Sequence, residues 1–268
     1  MLIALVVLLC VFTLIASRHW LQVTSVEVKD PDLPKAFDGF RIVHLSDLHG
    51  AQFGDDNSRL LKKVRAQQPD IIVLTGDFLD SDTGADDNEA LIKALPLIAP
   101  TYFVSGNHDV VSEDFEKFCE LLEENSVTIL RGEYRLLERS SEEILLAGIE
   151  DPTTWGNVTK ATELVDIIQE EMGDIFTVML AHRNYWPEVE PTLKVDIIMC
   201  GHAHGGIVRL PLIGGLLGTD RSFFPEYVDG VTETEEYSLI VSRGLGNSIF
   251  VPRFMNRPEI ISLTLKTS

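Results

Sequence analysis

The chain has 268 residues, a formal net charge of −20 and a pI near 4.6, with 45% hydrophobic and 24% charged residues. This composition is typical of a globular protein with one large domain or two small ones. Because nucleic-acid binding needs clustered Lys and Arg and anionic lipids repel an acidic chain, we expect no nucleic-acid partner and only hydrophobic contact with a membrane.

The first predicted element is the apolar segment of residues 1–17, MLIALVVLLCVFTLIAS, which carries no charge. Its length is at the short end of the roughly 17–25 residues that cross a bilayer, so we predict a single-pass anchor in the cell membrane. Arg18 is the single Lys or Arg next to this segment, and one basic residue does not determine on which side of the membrane the rest of the chain lies. A cleaved signal peptide and a buried helix of a soluble domain are the alternatives, although a basic n-region and a small-residue cleavage site are missing.

Residues 18–39 are predicted to form a linker with a short strand around Val23, Val26 and Val28, followed by the turn-rich sequence DPDLPKAFDGF. The remaining residues, 40–268, read as one domain. Within it, the acidic stretch Asp80–Glu89 is predicted to be a solvated loop, since its spacing does not match an EF-hand.

Five apolar runs in residues 40–268 each end in polar side chains. The runs are RIVHL, DIIVL, TYFV, FTVML and DIIMC, and the side chains after them are Asp47, His49, Asp77, Asn107, His108, Asp109, His182, His202 and His204. Continuous runs rich in Val and Ile indicate strands buried on both faces of a largely parallel sheet. Because sites form at the carboxyl ends of such strands, we expect these side chains to meet at one sheet edge.

Seven of these side chains are candidate metal ligands: Asp47, His49, Asp77, Asn107, His182, His202 and His204. Oxygen and imidazole donors without a thiolate suit Mn, Fe, Zn, Ni or Co better than calcium. Seven ligands are too many for one tetrahedral ion, but they suffice for two ions about 3.5–4 Å apart if one carboxylate bridges them. Such a site would keep a small positive excess, which favours a phosphate ester as ligand.

Five sequence blocks carry a resemblance to a known family: DLH at 47–49, GD at 76–77, GNHD at 106–109, His182, and GHAH at 201–204. In this order and spacing they resemble the calcineurin-like metallophosphoesterase superfamily. With the apolar N-terminus, the chain is similar to its membrane-anchored bacterial phosphodiesterases, although Ile207 stands where that subgroup has Gln. The resemblance implies an α/β fold of two stacked mixed β-sheets flanked by helices, in four αββα layers, with residues 40–268 as the metallophosphoesterase catalytic domain.

The resemblance also implies a role for each ligand. Asp47, His49 and His204 would bind the first divalent ion, Asn107, His182 and His202 would bind the second, and Asp77 would bridge them. A hydroxide between the ions would attack phosphorus in line. His108 would contact the phosphate and protonate or stabilise the leaving oxygen. Asp109 would hold the His108 ring, or serve as a cap or turn residue.

Two further residues have two interpretations each, and two others are expected to be structural. Asp80 either contacts the site residues without binding metal itself or simply begins the acidic loop. Arg243 either aids phosphate binding or forms a structural ion pair. His44 lies inside a predicted strand and is expected to be a packing residue rather than a ligand. Cys200 is expected to be a buried apolar residue.

We therefore predict a dinuclear metal-dependent phosphodiesterase or pyrophosphatase that acts on a membrane-associated or envelope substrate, with lipid-linked and nucleotide-linked phosphate esters as candidates. We predict no protein partner. A phosphomonoesterase is the alternative, because the same metal site supports both reactions. A catalytically silent metal-binding scaffold is a further alternative, which the presence of all seven ligands and His108 disfavours.

Overall fold

Helices and strands alternate along most of the chain in the computed structural model, which describes residues 2–153 and 160–268. The helices are α1 (Leu2–His19), α2 (Ser58–Ala66), α3 (Ala85–Ala94), α4 (Asn107–Val111), α5 (Phe115–Glu124), α6 (Ala161–Met172) and α7 (Trp186–Val189), with short 3-10 helices at Lys35–Phe37 and Asp55–Asn57. The strands are β1 (Gln22–Asp30), β2 (Arg41–Leu45), β3 (Ile71–Thr75), β4 (Thr101–Val104), β5 (Val127–Ile129), β6 (Glu133–Arg139), β7 (Glu142–Gly148), β8 (Thr177–Leu180), β9 (Ile197–Cys200), β10 (Val208–Leu210), β11 (Gly214–Leu217), β12 (Gly230–Glu233), β13 (Ser238–Val241) and β14 (Glu259–Thr267).

Two six-stranded mixed sheets contain most of the strands. The first has the order β1-β14-β2-β3-β4-β5, in which β2 to β5 are parallel and β14 runs antiparallel to β2. The second has the order β12-β13-β9-β8-β7-β6, in which β7, β8, β9 and β13 are parallel. Strands β10 and β11 form a separate hairpin.

The two sheets pack face to face with helices on their outer faces. Ile42 and Val73 of the first sheet share one buried cluster with Val178 and Ile240 of the second. Helices α2, α3 and α5 cover the outer face of the first sheet, and α6 covers that of the second. Strand β3 is buried at all five positions, which explains its uninterrupted apolar sequence. The expected fold of two stacked mixed sheets flanked by helices is confirmed.

The apolar runs alone predicted that the candidate ligands would lie at one edge of a single sheet. The strands that precede these ligands instead belong to both sheets. Strands β2, β3 and β4 are in the first sheet, and β8 and β9 are in the second. The carboxyl ends of the two sets meet, since His182 Nδ1, two residues after β8, donates a hydrogen bond to Thr75 O at the end of β3 (2.8 Å). The ligands therefore converge from two stacked sheets.

The acidic stretch Asp80–Glu89 differs from the prediction of a solvated loop, because α3 begins at Ala85 within it. Asp87 accepts a hydrogen bond from Gly84 N (2.9 Å), which is the half of a capping box that a glycine N-cap allows, and the carboxylates of the first turn interact favourably with the positive end of the helix dipole. The charges that suggested a loop thus stabilise a helix start.

Helix α1 contains the predicted membrane anchor, but its geometry does not support a membrane span. Its 18 residues include Arg18 and His19 in the last turn. Within residues 2–153 and 160–268, no helix combines the length and apolarity needed to cross a membrane. The C-terminal end of α1 contacts the body, where Asn256 N donates to Ser17 Oγ (3.1 Å).

Candidate metal centre

A first cluster of ligand atoms forms where the loops after β2 and β9 meet. His49 Nε2 lies 3.2 Å from His204 Nε2, and His204 Nε2 lies 3.5 Å from Asp47 Oδ1. Asp77 Oδ2 approaches His49 Nε2 to 3.6 Å. All four side chains are buried, and their ligand atoms are close enough to hold one metal ion.

A second cluster shares Asp77 with the first. His182 Nε2 lies 3.2 Å from Asp77 Oδ2, 3.1 Å from Asn107 Oδ1 and 3.2 Å from His202 Nδ1. Asp77, His182 and His202 could hold a second ion, with the Asn107 amide oxygen as a further donor. One oxygen of Asp77 thus faces both clusters, so the structure brings all seven predicted ligands together.

The donor set fits divalent cations. Ring nitrogens lie 3.2 Å apart in both clusters, beside the buried carboxylate oxygens of Asp77, and imidazole nitrogen with carboxylate oxygen is a donor set that divalent transition metals prefer. Burial disfavours a charged His182, yet the negative charges of Asp77 and Asp47 outweigh it and raise its pKa to about 10. Burial lowers the pKa of His202 to about 3. The site therefore combines the negative charge of Asp47 and Asp77 with imidazole donors, a set that suits Zn, Mn, Fe or Ni.

Hydrogen bonds from the strand ends orient the ligands. The bond from His182 Nδ1 to Thr75 O leaves Nε2 as the metal-facing nitrogen. His202 N donates to Asp47 Oδ1 (2.9 Å), and His108 N donates to Asp77 Oδ1 (2.8 Å). Each ligand carboxylate is therefore fixed by the backbone of a neighbouring loop.

Backbone strain is concentrated at the ligands. Five of the seven have a positive φ: Asp47 (51°), His49 (43°), Asp77 (57°), His202 (66°) and His204 (49°). Residues other than glycine rarely adopt this region of backbone conformation, and each one that does costs about 1–3 kcal/mol of folding free energy. The fold tolerates this strain because the tight loops turn the ligands into the site.

The His108 ring lies beside the first cluster, with its centroid 4.8 Å from that of His49. Its side chain is 32% exposed, and its Nδ1 lies 3.2 Å from Asp80 Oδ1. The other Asp80 oxygen lies 3.4 Å from His49 Nδ1. Asp80 therefore connects a candidate ligand to His108, in line with the supporting interpretation of this residue.

Asp109 is fully buried and holds backbone rather than the His108 ring. Its carboxylate accepts hydrogen bonds from the N–H groups of Asp77 (2.7 Å), Gly106 (2.9 Å), Phe78 (2.9 Å) and Leu79 (2.9 Å). These contacts correspond to the cap and turn interpretation of this residue. They fix the loop of Asp77 against the loop of Asn107.

Three other residues from the sequence analysis lie near the site. Arg243 forms a buried ion pair with Glu259, with Nη2 and Oε1 2.6 Å apart, so the structural alternative applies. His44 is buried with Nε2 2.7 Å from Thr75 Oγ1, as expected for a packing residue, and Cys200 is buried. Arg183 was not identified from the sequence, yet its Nη1 lies 3.3 Å from His202 Nε2. Its position directly after His182 was the only available signal.

Comparisons with known proteins agree with this geometry. A family model described as calcineurin-like phosphoesterase matches residues 40–206. The chain is 27% identical to the uncharacterized metallophosphoesterase YkuE of Bacillus subtilis, covering 93% of this chain and 87% of that protein. It is 28% identical to the phosphodiesterase YaeI of Escherichia coli, covering 84% and 82% respectively.

A transmembrane protein with metallophosphoesterase domain from Danio rerio is also 28% identical, over 96% of this chain and 60% of that protein. Among solved structures, TT1561 of Thermus thermophilus has a similar fold, with a TM-score of 0.50 and 12% identity over 77% of this chain and 90% of that one. Because the family match spans most of the chain and two Asp/His clusters share one carboxylate, the chain belongs to the calcineurin-like phosphoesterases, hydrolases that act on phosphoesters with two divalent metal ions.

Proposed function

We propose that this protein is a phosphodiesterase whose two metal ions share Asp77. Asp47, His49 and His204 complete the first position, and Asn107, His182 and His202 complete the second. The observation that carries this proposal is the placement of Asp77 Oδ2, 3.6 Å from His49 Nε2 and 3.2 Å from His182 Nε2. When bound, the two ions supply the positive field and the activated water that attack on phosphorus needs.

His108 is the proposed general acid. Asp80 Oδ1 accepts a hydrogen bond from His108 Nδ1–H and so orients the ring. Nε2 is then the nitrogen that donates a proton to the leaving oxygen. The partial exposure of the ring lets it reach a bound substrate. Asp109 acts as a positioning residue, because its contacts fix the backbone between Asp77 and Asn107.

A phosphodiester or pyrophosphate bond is the proposed target, with phosphomonoesters as the alternative. The similarity to a protein named phosphodiesterase supports the diester. The test is to strip the metals from the full chain, add Mn, Zn, Ni, Fe and Mg singly, and compare hydrolysis of a bis-aryl and a mono-aryl phosphate. We expect metal-restored diester cleavage that falls by about 100-fold or more in His108→Ala, with the exposed His19→Ala as control.

Faster hydrolysis of the mono-aryl phosphate would contradict the proposed phosphodiester substrate and favour a phosphomonoester. A folded protein that binds two ions and cleaves neither substrate would contradict hydrolysis of simple aryl esters and favour the scaffold alternative.

The proposed substrate is membrane-associated, and α1 supports this part of the proposal. Most of its large apolar side chains are exposed, including Leu8 at 66% and Phe12 at 51%, and the first acidic residue of the chain is Glu27. An exposed apolar helix without carboxylates gains free energy by inserting into a lipid surface, at about 25 cal/mol per Å² of apolar area covered.

Flotation of the full chain with neutral phosphatidylcholine vesicles tests this attachment. We expect the native protein to float and the double variant Leu8→Glu, Phe12→Glu to remain in the lower fractions. Leu97→Glu is the matched control, because Leu97 is 83% exposed on the body of the molecule. A native protein that stays unbound would contradict attachment without affecting the assignment of the metal centre.

A further inference from the structure

Arg183 is held rigidly beside the second metal position. Its Nε donates to Asp151 Oδ2 (2.7 Å), and its Nη2 donates to Asp151 Oδ1 (3.2 Å) and Thr153 Oγ1 (3.0 Å). The Asp151 side chain is fully buried. A two-point contact with a buried carboxylate fixes the guanidinium plane, so Arg183 loses little further freedom when a ligand binds.

The remaining nitrogen, Nη1, carries two N–H groups and lies beside His202, a candidate ligand of the second metal position. It lies 3.3 Å from His202 Nε2, and the Arg183 side chain is 23% exposed, so a ligand from solvent can reach it. Asp151 and Thr153 occupy Nε and Nη2, so the two N–H groups of Nη1 face His202 and solvent rather than this ion pair.

The tautomer of His202 makes this contact unusual. Its Nδ1 is the atom that converges with His182 Nε2 and Asp77 on the second metal position. Coordination through Nδ1 leaves the proton of the neutral ring on Nε2. His202 Nε2 and Arg183 Nη1 are then both donors, and two donors 3.3 Å apart need an acceptor that both can reach.

We propose that Arg183 Nη1 and His202 Nε2–H form a two-donor anion subsite that binds an anionic oxygen of the substrate beside the second metal position. The inference rests on the proposed function and deepens it, since it names a substrate-binding residue outside the ligand set. In a chain with a net charge of −20, a fixed guanidinium at the site also supplies local attraction for an anion. Arg183 binds the substrate and takes no part in the proton transfer.

Calorimetric titration of the metal-loaded full chain with inorganic phosphate tests the subsite. We expect the Kd for phosphate to rise about 10-fold in Arg183→Gln, because a hydrogen bond to a charged group is lost. Metal content should remain at two ions. In diester hydrolysis the KM should rise more than kcat falls. The matched control is Arg135→Gln, which removes an arginine paired with Glu133 on β6, outside the site.

A second variant keeps the test decisive if Arg183→Gln does not fold. Arg183→Lys keeps the charge but cannot contact Asp151 at two points, and we expect a rise of about 3- to 10-fold in the phosphate Kd. An unchanged Kd in either folded variant with two bound ions overturns the subsite and leaves Arg183 as a structural ion pair. A native protein that binds phosphate but hydrolyses no ester would instead overturn the proposed function.

Discussion

Asp80 connects the first metal position to the proposed general acid, because its two oxygens face His49 Nδ1 and His108 Nδ1. We expect Asp80→Asn to lower kcat for diester hydrolysis by about 10- to 100-fold, the usual cost of removing an orienting carboxylate behind a metal ligand. Steady-state kinetics with measured metal content check this. Asp82→Asn, in the same acidic stretch but exposed, should behave like the native protein, and an equal loss in both variants would contradict the specific role.

His44 should make the stability of the protein depend on pH. Burial lowers its pKa to about 3 from the ordinary value of 6.5, so the folded protein keeps the ring neutral while the unfolded chain binds a proton below pH 6.5. This contribution is fully present above 6.5 and is lost as the pH falls. Between pH 7 and pH 5 the native protein should lose about 2 kcal/mol more unfolding free energy than His44→Gln.

Urea unfolding of both proteins at several pH values, with the same metal present, measures this difference. Protonation of the metal ligands affects both curves equally. Parallel stability curves for the native protein and His44→Gln would show that His44 is not the group responsible.

For individual residues of the site, the sequence predicts the candidate ligands but not the side-chain contacts around them. The convergence of all seven candidate ligands was predictable, because each follows an apolar run by a few residues. The contacts of Asp80, Asp109 and Arg183 were not, because they depend on side-chain directions in loops that meet only in the folded protein. Asp109 stands beside His108 in the sequence, yet its carboxylate contacts backbone, while Asp80 from another loop holds the ring.

At the scale of elements, the loops after β3 and β4 approach so closely that only glycine fits between them. Gly76 has φ +83°, and a Cβ there would lie 2.3 Å from Gly106 N. Gly173, at the end of α6, has φ +73° with open space around it. Because both glycines have a positive φ, alanine at either position adds backbone strain of about 1–3 kcal/mol. Only Gly76→Ala adds a backbone overlap that displaces Asp77 from Asn107.

We therefore expect Gly76→Ala to lose more unfolding free energy than Gly173→Ala and to lose bound metal as well. Denaturant unfolding and metal analysis of the two variants provide the comparison. Gly173→Ala should keep two ions and native activity. Retention of both by Gly76→Ala would mean that the loops can separate without cost to the site.

Element types followed from the sequence where an apolar run was continuous, as in β3 and β9. The start of α3 was missed because acidic residues suggested a loop, whereas they stabilise the first turn. The order of the strands within each sheet was not available from the residues, because pairings such as β1 with β14 join opposite ends of the chain. Only the family resemblance predicted two stacked sheets.

At the scale of the whole molecule, the metal centre joins the two sheets. Asp47, His49, Asp77 and Asn107 follow strands of the first sheet, and His182, His202 and His204 follow strands of the second. Ions bound by both sets stabilise only the state in which the sheets are stacked. Removal of the ions should therefore lower the stability of the entire fold rather than that of one loop.

A chelator titration followed by thermal unfolding tests this coupling. At free ion concentrations about 100 times the Kd, each ion contributes about 2.7 kcal/mol, so the melting temperature should fall by roughly 5–10 °C per ion removed. His204→Ala, which weakens only the first position, should start lower and lose less on chelation, and His19→Ala should match the native protein. Equal melting temperatures with and without chelator, in a protein that bound two ions beforehand, would show that the sheets associate independently of the metal centre.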